Sequence, residues 1–406
     1  MLGNLRKINF FDVFFVLLIL SVPYSLKVPN ALLVILTSFL ILDYKKHADI
    51  NIWLLKKKAF YVLFVLVFYW LLKAIITSSI KDTNYTLLLP VVILPVLFIK
   101  VKNKELFLWA NVILVFLLSL RAIFGLLTYY IENKQFLPFE GEIINDILGM
   151  ERPYLGFISV IGFISSLYLA MKYNKLKKLF IFYSIYIAAF IFLISARISA
   201  VTILFLIVIY LLFYIKKIDR NKALFVVIVI TTIFSFVVLN KNLRERFFIT
   251  SDIKSSVAKL SRHEPRMIIW SCAYDIATAP DFNPIFGLNS EKELEQRYIR
   301  CYDEKITNRN RADYFISTKI NSHNQFIDVF LFSGIIGLGL FFYFFIVQIF
   351  SQRRNYFKIA MLISLILFLA VENVLRRQMG IYCFILIITF INIVPLNFNS
   401  NGINDK

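Results

Sequence analysis

The residues best suited to chemistry include a histidine that stands beside a long apolar run. His323 ends a polar stretch in Asn321-Ser322-His323-Asn324 and is followed at once by the apolar run. A histidine side chain changes its protonation near neutral pH, so His323 could act as a general base at an aqueous boundary. A helix cap or an interface histidine is an interpretation of about equal weight. His263, earlier in the same stretch, is interpreted as an ordinary loop residue.

Several cations lie at the ends of apolar runs, where an unpaired charge is costly. Arg197 stands in the tight connection Ser195-Ala196-Arg197, and Arg266 precedes Trp270 by one turn of a predicted amphipathic helix. Arginine binds phosphate oxygens through a planar fork of donors and keeps its charge when partly desolvated. These cations therefore suit a ligand that carries a diphosphate at membrane depth. Others at the same level are Lys73, Arg121, Arg152, Arg376 and Arg377, with Glu372 beside them.

Each of these residues also has a plainer interpretation. Long cationic side chains at helix ends commonly reach up to the headgroup level, and for Lys73 this has about equal weight. For Arg121 and Arg197 it has less weight, because Arg197 lies between two long apolar runs. A single arginine in a polar loop, such as Arg266, is usually a solvated charge. Trp270 could lie in the membrane interface or pack the loop onto the bundle.

The composition of the chain requires a membrane around these residues. Hydrophobic residues make up 59% of the sequence and charged residues 17%, whereas soluble domains have about 45–50% and about 25%. Mean hydropathy is +0.74. We therefore expect an all-α, polytopic transmembrane helical bundle. The net charge of +20 is dispersed in short Lys/Arg clusters between apolar runs, which is typical of loops facing anionic lipid and does not favour a nucleic-acid partner.

The apolar runs predict about 12 spans, since a spanning helix needs about 20 mostly apolar residues. The N-terminal run is interpreted as the first span and not as a removed signal. Basic clusters occur in every second loop, at 45–58, 100–104, 172–178, 216–222 and 353–358, which predicts that both termini are cytoplasmic. The runs are Phe10–Leu26, Ala31–Leu42, Phe60–Thr77, Tyr85–Ile99, Leu106–Tyr129, Pro153–Met171, Leu179–Ser195, Ile198–Ile215, Ala223–Asn240, Asn324–Phe350, Tyr356–Val371 and Met379–Pro395.

This topology divides the chain into three parts. Residues 1–240 would hold spans one to nine, 241–323 a large helical periplasmic loop, and 324–406 the last three spans with a short cytoplasmic tail. Cys272 and Cys301 both fall in the loop, and they could form a disulfide if the loop is periplasmic. The sequence leaves that pairing open. Cys383 lies inside an apolar run and is expected to be a packed thiol.

Four motifs together resemble the O-antigen ligase / O-antigen polymerase superfamily. The resemblance covers the chain from about Arg152 onward. One departure is that the glycine which often follows the arginine of the S-x-R motif in relatives is missing here. The motifs are His323-Asn324-x9-Gly334-x2-Gly337 for H-N-x9-G-x2-G, Ser195-Ala196-Arg197 for S-x-R, Arg266-x3-Trp270 for the loop arginine and tryptophan, and Glu372-Asn373-x3-Arg377-Gln378-x-Gly380 for the late E-x-x-L-x-R-Q-x-G segment.

The resemblance implies a GT-C-like, inverting glycosyltransferase that needs no metal or other cofactor. Its donor would be an undecaprenyl-diphosphate-linked oligosaccharide or polysaccharide, and its acceptor a glycolipid, lipid A-core, at the periplasmic face of the bacterial inner membrane. His323 would take the proton from the acceptor hydroxyl, while Arg197 and Arg266 would stabilise the leaving diphosphate. Substrate-binding roles are implied for Arg121, Arg152, Asn324, Trp270, Glu372, Arg377 and Lys73.

Three alternative functions are weighed against a ligase. A polymerase would use the same donor and a different acceptor, and the H-N-x9-G form favours the ligase. A protein oligosaccharyltransferase is a third member of the group, but the sequence has no distinctive extra segment for it. A flippase or transporter of lipid-linked glycans is a different class. It would have charges around a midplane cavity shared by two halves, whereas the cations here gather at one leaflet beside one loop.

Overall fold

The computed structural model of the protein describes residues 9–42, 57–79, 89–134, 141–214 and 265–396. Of these residues 82% are helical and none lies in a strand, which confirms the all-α prediction for the described ranges. The α-helices are α1 Phe10–Ser21, α2 Lys27–Leu42, α3 Lys58–Ile76, α4 Leu89–Lys100, α5 Leu106–Asn133, α6 Gly141–Leu148, α7 Arg152–Lys172, α8 Lys177–Leu193, α9 Arg197–Tyr214, α10 Pro265–Thr278, α11 Glu291–Lys305, α12 Arg309–Ser317, α13 Gln325–Gln352, α14 Tyr356–Leu369 and α15 Gln378–Ile393.

Five of the described helical segments are long and apolar enough to cross a membrane. They contain α3, α5, α7, α8 and α13, while α1, α2, α4, α9, α14 and α15 are shorter apolar helices. These helices overlap eleven of the predicted runs. The remaining run, Ala223–Asn240, lies outside the described residues. The count of about 12 spans and the GT-C likeness therefore stay predictions.

Helix α7 lies at the centre of the bundle and packs against α5, α8, α9 and α14. Small residues let the backbones approach closely, as is common between membrane helices. A Cβ added at Gly156 would lie 2.7 Å from the Cβ of Ala196 and 2.4 Å from the Oγ of Ser199. Because Gly156 is near the start of α7 and Ser199 near the start of α9, the two helices begin side by side.

Aromatic pairs show that α14 runs antiparallel to α7. The rings of Phe157 and Phe368 stack at 4.3 Å near the start of α7 and the end of α14. The rings of Tyr168 and Phe357 meet at 5.3 Å at the other ends of the two helices. The connection that follows α14 therefore lies where α7 and α9 begin. We call this the Glu372 end of the bundle, after the residue in that connection.

A break in α13 joins the loop to the bundle. Gly334 has φ 64° and ψ −166°, which is not helical, and this left-handed φ favours glycine. The amide of Ile335 donates to the Pro284 carbonyl at 2.9 Å, and the amide of Leu288 donates to the Leu331 carbonyl at 2.9 Å. A Cβ at Gly334 would lie 2.1 Å from the Ile285 oxygen. The first glycine of the H-N-x9-G motif thus permits this close contact.

Lys73 of α3 completes the same contact. Its side chain is buried, with the residue 7% exposed. The ammonium donates to the carbonyls of Phe286 at 2.5 Å and Leu288 at 2.7 Å, and also to the carbonyl of Phe332. We call Lys73, these three acceptors and Gly334 the Lys73 junction. Because its three donors meet backbone acceptors, Lys73 stabilises the broken stretch of α13.

Candidate functional site

The position of His323 is set by the cap of α13. The Asn324 side chain accepts hydrogen bonds from the amides of Phe326 at 2.9 Å and Ile327 at 3.1 Å, so it is the N-cap of the helix. His323 directly precedes the cap and has a left-handed φ of 44°. The cap therefore holds the imidazole just outside the helix. A substrate contact by Asn324 stays a prediction, since its side-chain oxygen already serves the helix.

Glu372 joins His323 to Arg266. The residue is 3% exposed and lies just beyond α14. Its Oε2 is 3.2 Å from His323 Nδ1, and its Oε1 is 3.9 Å from Arg266 Nη2, which also donates to the Val371 carbonyl at 3.2 Å. A carboxylate at Nδ1 favours the tautomer with the proton on that nitrogen. The arrangement leaves Nε2 of His323 able to accept a proton.

Side-chain hydrogen bonds fix the backbone on both sides of this contact. Asn373 Oδ1 accepts from the Asn324 amide at 2.8 Å and from Ser322 Oγ at 2.9 Å. Trp270 of α10 donates from its indole nitrogen to the Ser322 carbonyl at 3.1 Å. We call His323, Arg266, Glu372, Ser322 and Asn373 the Glu372 cluster. It joins the loop helix α10 to the connections before α13 and after α14.

A second group of charges lies at the same end of the bundle. Arg377, just before α15, forms an ion pair with Glu151, just before α7, and its guanidinium is 6.0 Å from the centre of the Tyr154 ring. Burial disfavours the cation, but Glu151 and the other neighbouring acidic groups outweigh it and raise the pKa of Arg377. Gly380 lets the start of α15 lie close to Val374 and Tyr154, because an added Cβ would lie 2.1 Å from the Val374 oxygen and 2.9 Å from Tyr154 Oη.

The described helices α7, α9, α13 and α15 begin at the Glu372 end, and a basic residue stands at or just before the start of each. Arg152 and Arg197 open α7 and α9, Arg377 precedes α15, and His323 precedes α13. A helix N-terminus carries partial positive charge, so a basic residue there adds to the potential and does not offset it. This arrangement favours an anion, and phosphate is a common ligand of helix N-termini.

Buried hydroxyl groups add possible donors at this end. Ser195 Oγ, Ser199 Oγ and Tyr154 Oη are buried and have no hydrogen-bond partner in the described structure. Ser195 takes a left-handed φ of 52° in the turn that precedes Arg197. The S-x-R turn therefore forms without the glycine that is missing from this sequence.

The predicted site residues fall into three sets. His323, Arg266, Trp270, Glu372 and Asn324 come together in or beside the Glu372 cluster, with Arg152, Arg197 and Arg377 on neighbouring helices at the same end. Lys73 lies in the Lys73 junction. Arg121 is exposed on α5 and packs against the backbone of Gly149 and the ring of Tyr24. None of the contacts described here joins Lys73 or Arg121 to the Glu372 cluster.

Two residues of the site were missed in the sequence. Glu151, the partner of Arg377, stands next to Arg152 and Pro153, and a carboxylate before a proline is a recognisable helix start. That signal was available. Tyr154 had no such signal, because a tyrosine at the start of an apolar run is equally at home in a membrane interface.

The described loop residues settle one further point. Cys272 of α10 and Cys301 of α11 form a disulfide, so the pairing that the sequence left open is present. Arg262 and His263 lie outside the described residues. No three of the described His, Cys, Asp and Glu side chains are grouped closely enough to hold a metal ion together. Metal independence stays a prediction.

The fold and the apolar helices define a membrane protein with several spanning helices. Residues 182–342 match the family model described as O-Antigen ligase. The match includes Arg197, Arg266 and His323 and ends before Glu372. Over this part of the chain it confirms the resemblance to the O-antigen ligase superfamily that the motifs carry. No curated protein matches the chain.

Proposed function

We propose that the protein is an O-antigen ligase-type glycosyltransferase that moves an undecaprenyl-diphosphate-linked glycan onto a lipid A-core acceptor at the periplasmic face of the inner membrane. The observation that carries the proposal is the contact of His323 with the buried Glu372 carboxylate beside Arg266. This contact lies where cations and helix N-termini gather. A general base and an anion site are thus adjacent.

His323 acts as the base in the proposed reaction. Glu372 accepts the Nδ1 proton of the imidazole, and Nε2 takes the proton of the acceptor hydroxyl. The hydroxyl oxygen forms a bond to the anomeric carbon of the donor sugar, and the bond from that carbon to the phosphate oxygen breaks. Attack from the face opposite the leaving group inverts the anomeric configuration.

The cations stabilise the group that leaves. Negative charge grows on the lipid diphosphate as the glycosidic bond breaks, and fixed donors aimed at that charge lower the barrier. Arg197 at the start of α9 and Arg266 of the Glu372 cluster are the main candidates, with Arg152, Arg377, Tyr154 and the helix N-termini supporting them. The proposed reaction needs no metal ion, because these cationic side chains stabilise the negative charge of the leaving group.

An apolar groove suits the lipid chain of such a donor. The groove has a volume of about 340 Å³ between α10 and α13 and is lined by residues such as Trp270, Tyr274, Phe326 and Phe342. Phe326 follows His323 by three residues, so the groove begins beside the Glu372 cluster. We infer that the polyprenyl chain lies in this groove while its diphosphate meets the cations.

The proposal is tested with the purified full-length chain in lipid nanodiscs, a lipid-linked glycan donor and lipid A-core. We expect Arg197→Ala and Arg266→Ala each to abolish transfer while the proteins remain folded. The control is Arg309→Ala, because Arg309 is an exposed loop arginine paired with Asp303 and Asp313. Full activity of both Arg197→Ala and Arg266→Ala would contradict the proposed leaving-group site.

A gene deletion distinguishes a ligase from a polymerase, because the two share the donor site and differ in the acceptor. Loss of laddered lipopolysaccharide with accumulation of long lipid-linked polymer indicates a ligase. A core that carries a single repeat unit indicates a polymerase. Unchanged glycolipids would contradict both.

A further inference from the structure

A polar cavity of about 330 Å³ lies beside the Glu372 cluster. Its walls come from the loop helix α11 and the connection after α12, from the start of α13, from Trp70 on α3, and from Leu375, Arg376 and Arg377 after α14. Asn321, two residues before His323, is part of the wall. The volume falls within the range of small-ligand pockets, about 300–1,000 Å³. Among the residues that line the cavity, the mechanism proposed above uses only Arg377.

Buried polar atoms without partners line the cavity. Trp70 Nε1 and Asp328 Oδ1 have no hydrogen-bond partner in the described structure, although the two residues are only 7% and 4% exposed. Buried polar atoms are nearly always paired, and leaving one unpaired costs free energy. A donor and an acceptor that both lack partners around one cavity point to a ligand that both accepts and donates hydrogen bonds.

Tyr298 is a third such group. Its residue is 3% exposed, and its hydroxyl makes no hydrogen bond of ordinary geometry. Burial raises the pKa of Tyr298 well above its usual value, although the nearby Ser322 hydroxyl lowers it slightly. Ser322 belongs to the Glu372 cluster, so the cavity wall and the proposed base share one stretch of chain.

The charges of the lining do not favour an anionic ligand. Three carboxylates balance three cations, so the formal charge of the lining is zero; the groups are Glu291, Glu295, Asp328, Lys319, Arg376 and Arg377. Arg376 is already engaged, because its Nε donates to Asp328 Oδ2 at 2.6 Å. Burial disfavours this cation, but Asp328 and Glu291 outweigh the burial and raise its pKa. A diphosphate is therefore better served by Arg152 and Arg197 at the helix N-termini than by this cavity.

We propose that this cavity is a carbohydrate subsite that takes an uncharged sugar ring of the glycan substrate. Sugar hydroxyls would donate to Asp328 Oδ1, accept from Trp70 Nε1 and exchange either kind of hydrogen bond with Tyr298 Oη. The inference rests on the proposed function and adds where a sugar is held. The ring could belong to the acceptor or to the donor, since both carry the same hydroxyl chemistry.

The test compares two variants that each remove one unpartnered polar atom: Tyr298→Phe removes the hydroxyl alone, and Trp70→Phe removes the indole nitrogen together with part of the ring system. The probes are methyl glycosides of glucose, galactose and N-acetylglucosamine, whose binding to the full-length protein in nanodiscs is measured by saturation-transfer NMR. We expect Tyr298→Phe and Trp70→Phe each to weaken binding about three- to tenfold. Tyr298→Phe should leave the melting temperature nearly unchanged, because the lost hydroxyl makes no hydrogen bond of ordinary geometry in the free protein.

Tyr302→Phe is the matched control. Tyr302 lies one turn further along α11, outside the cavity lining, and its hydroxyl donates to the Ile320 carbonyl at 3.1 Å. This variant should lose melting temperature and keep the sugar affinity of the wild type. The opposite responses of two tyrosines on one helix separate binding from folding.

Each remaining outcome has one meaning. If no probe binds the wild type, or if Tyr298→Phe and Trp70→Phe bind as tightly as the wild type, the cavity holds water only and the inference is wrong. A raised KM for the glycolipid acceptor alone assigns the ring to the acceptor, and a raised KM for the donor alone assigns it to the donor. Sugar binding that the variants weaken, with no transfer by the wild type, would support the subsite and contradict the proposed transferase.

Discussion

The Lys73 junction and the Glu372 cluster both join the loop to the bundle through a buried charge, but the partners of the two charges differ. Lys73 gives its donors to three backbone carbonyls that carry no titratable proton. Glu372 holds an imidazole and lies near a guanidinium. The first set of partners can only hold a conformation. The second can move a proton and attract an anion.

The difference shows that an ion at membrane depth does not by itself identify a working site. Lys73 and Glu372 are almost equally buried, at 7% and 3% exposure. Burying each charge costs free energy, so each buried charge indicates a role. Which role it has depends on the groups that pair with the charge. A substrate-binding role for Lys73 stays a prediction, whereas its geometry favours a structural one. Substitutions at the two places should separate these roles.

The largest effect is expected from replacing His323. Removing the proposed base should lower kcat for glycan transfer by about 10²–10⁴-fold, with little change in the melting temperature. His323→Asn is the better variant than His323→Ala, since the φ of 44° suits asparagine more than alanine. The measurement is transfer from purified lipid-linked donor to lipid A-core.

His263→Ala serves as the matched control for His323, because it removes a histidine that the sequence does not favour as a catalyst. It should keep the wild-type rate. Near-normal activity of both His323 variants would rule out the base.

The helical bundle and three members of the Glu372 cluster, His323, Arg266 and Glu372, could be predicted from the sequence. Local signals suffice for these features, because apolar runs specify helices and the motifs name His323, Arg266 and Glu372. Long-range pairs have no local signal. Arg377 and Glu151 are 226 residues apart, and Lys73 and Phe286 are 213 residues apart. A partner that is a backbone carbonyl cannot be recognised in the sequence, because every residue has one.

The second prediction concerns the Lys73 junction. Lys73→Met should destabilise the protein by about 3 kcal/mol or more, because up to three buried carbonyls would lose a partner at about 1–3 kcal/mol each. The folded fraction should transfer glycan at nearly the wild-type rate. Thermal unfolding in nanodiscs and activity per folded molecule are the two measurements. A variant of normal stability that fails to bind donor would instead give Lys73 the substrate role implied by the resemblance.

The third prediction changes the charge of Glu372 and keeps its shape. Glu372→Gln should lower kcat about ten- to a hundredfold, since the imidazolium formed during proton transfer loses its anionic partner. KM for both substrates should change little. The control is Glu105→Gln, which removes an ion pair with Lys172 at the opposite end of α7. Equal losses in the two variants would show that Glu372 is merely structural.

The smallest effect is expected at Trp270, where loop and bundle meet through one hydrogen bond. Trp270→Phe removes the bond to the Ser322 carbonyl and keeps an aromatic ring in the apolar groove. One such bond contributes about 1 kcal/mol, so we expect a small fall in melting temperature and about a two- to tenfold fall in kcat as the His323 stretch loosens. Tyr274→Phe, one turn further along α10, changes the groove without touching that bond. A fall in donor affinity in both variants would show that the groove matters more than the position of His323. A fall in kcat in Trp270→Phe alone would show that the hydrogen bond from the loop to Ser322 positions the base. The Lys73 junction has no contact with His323 among those described and would not give this result.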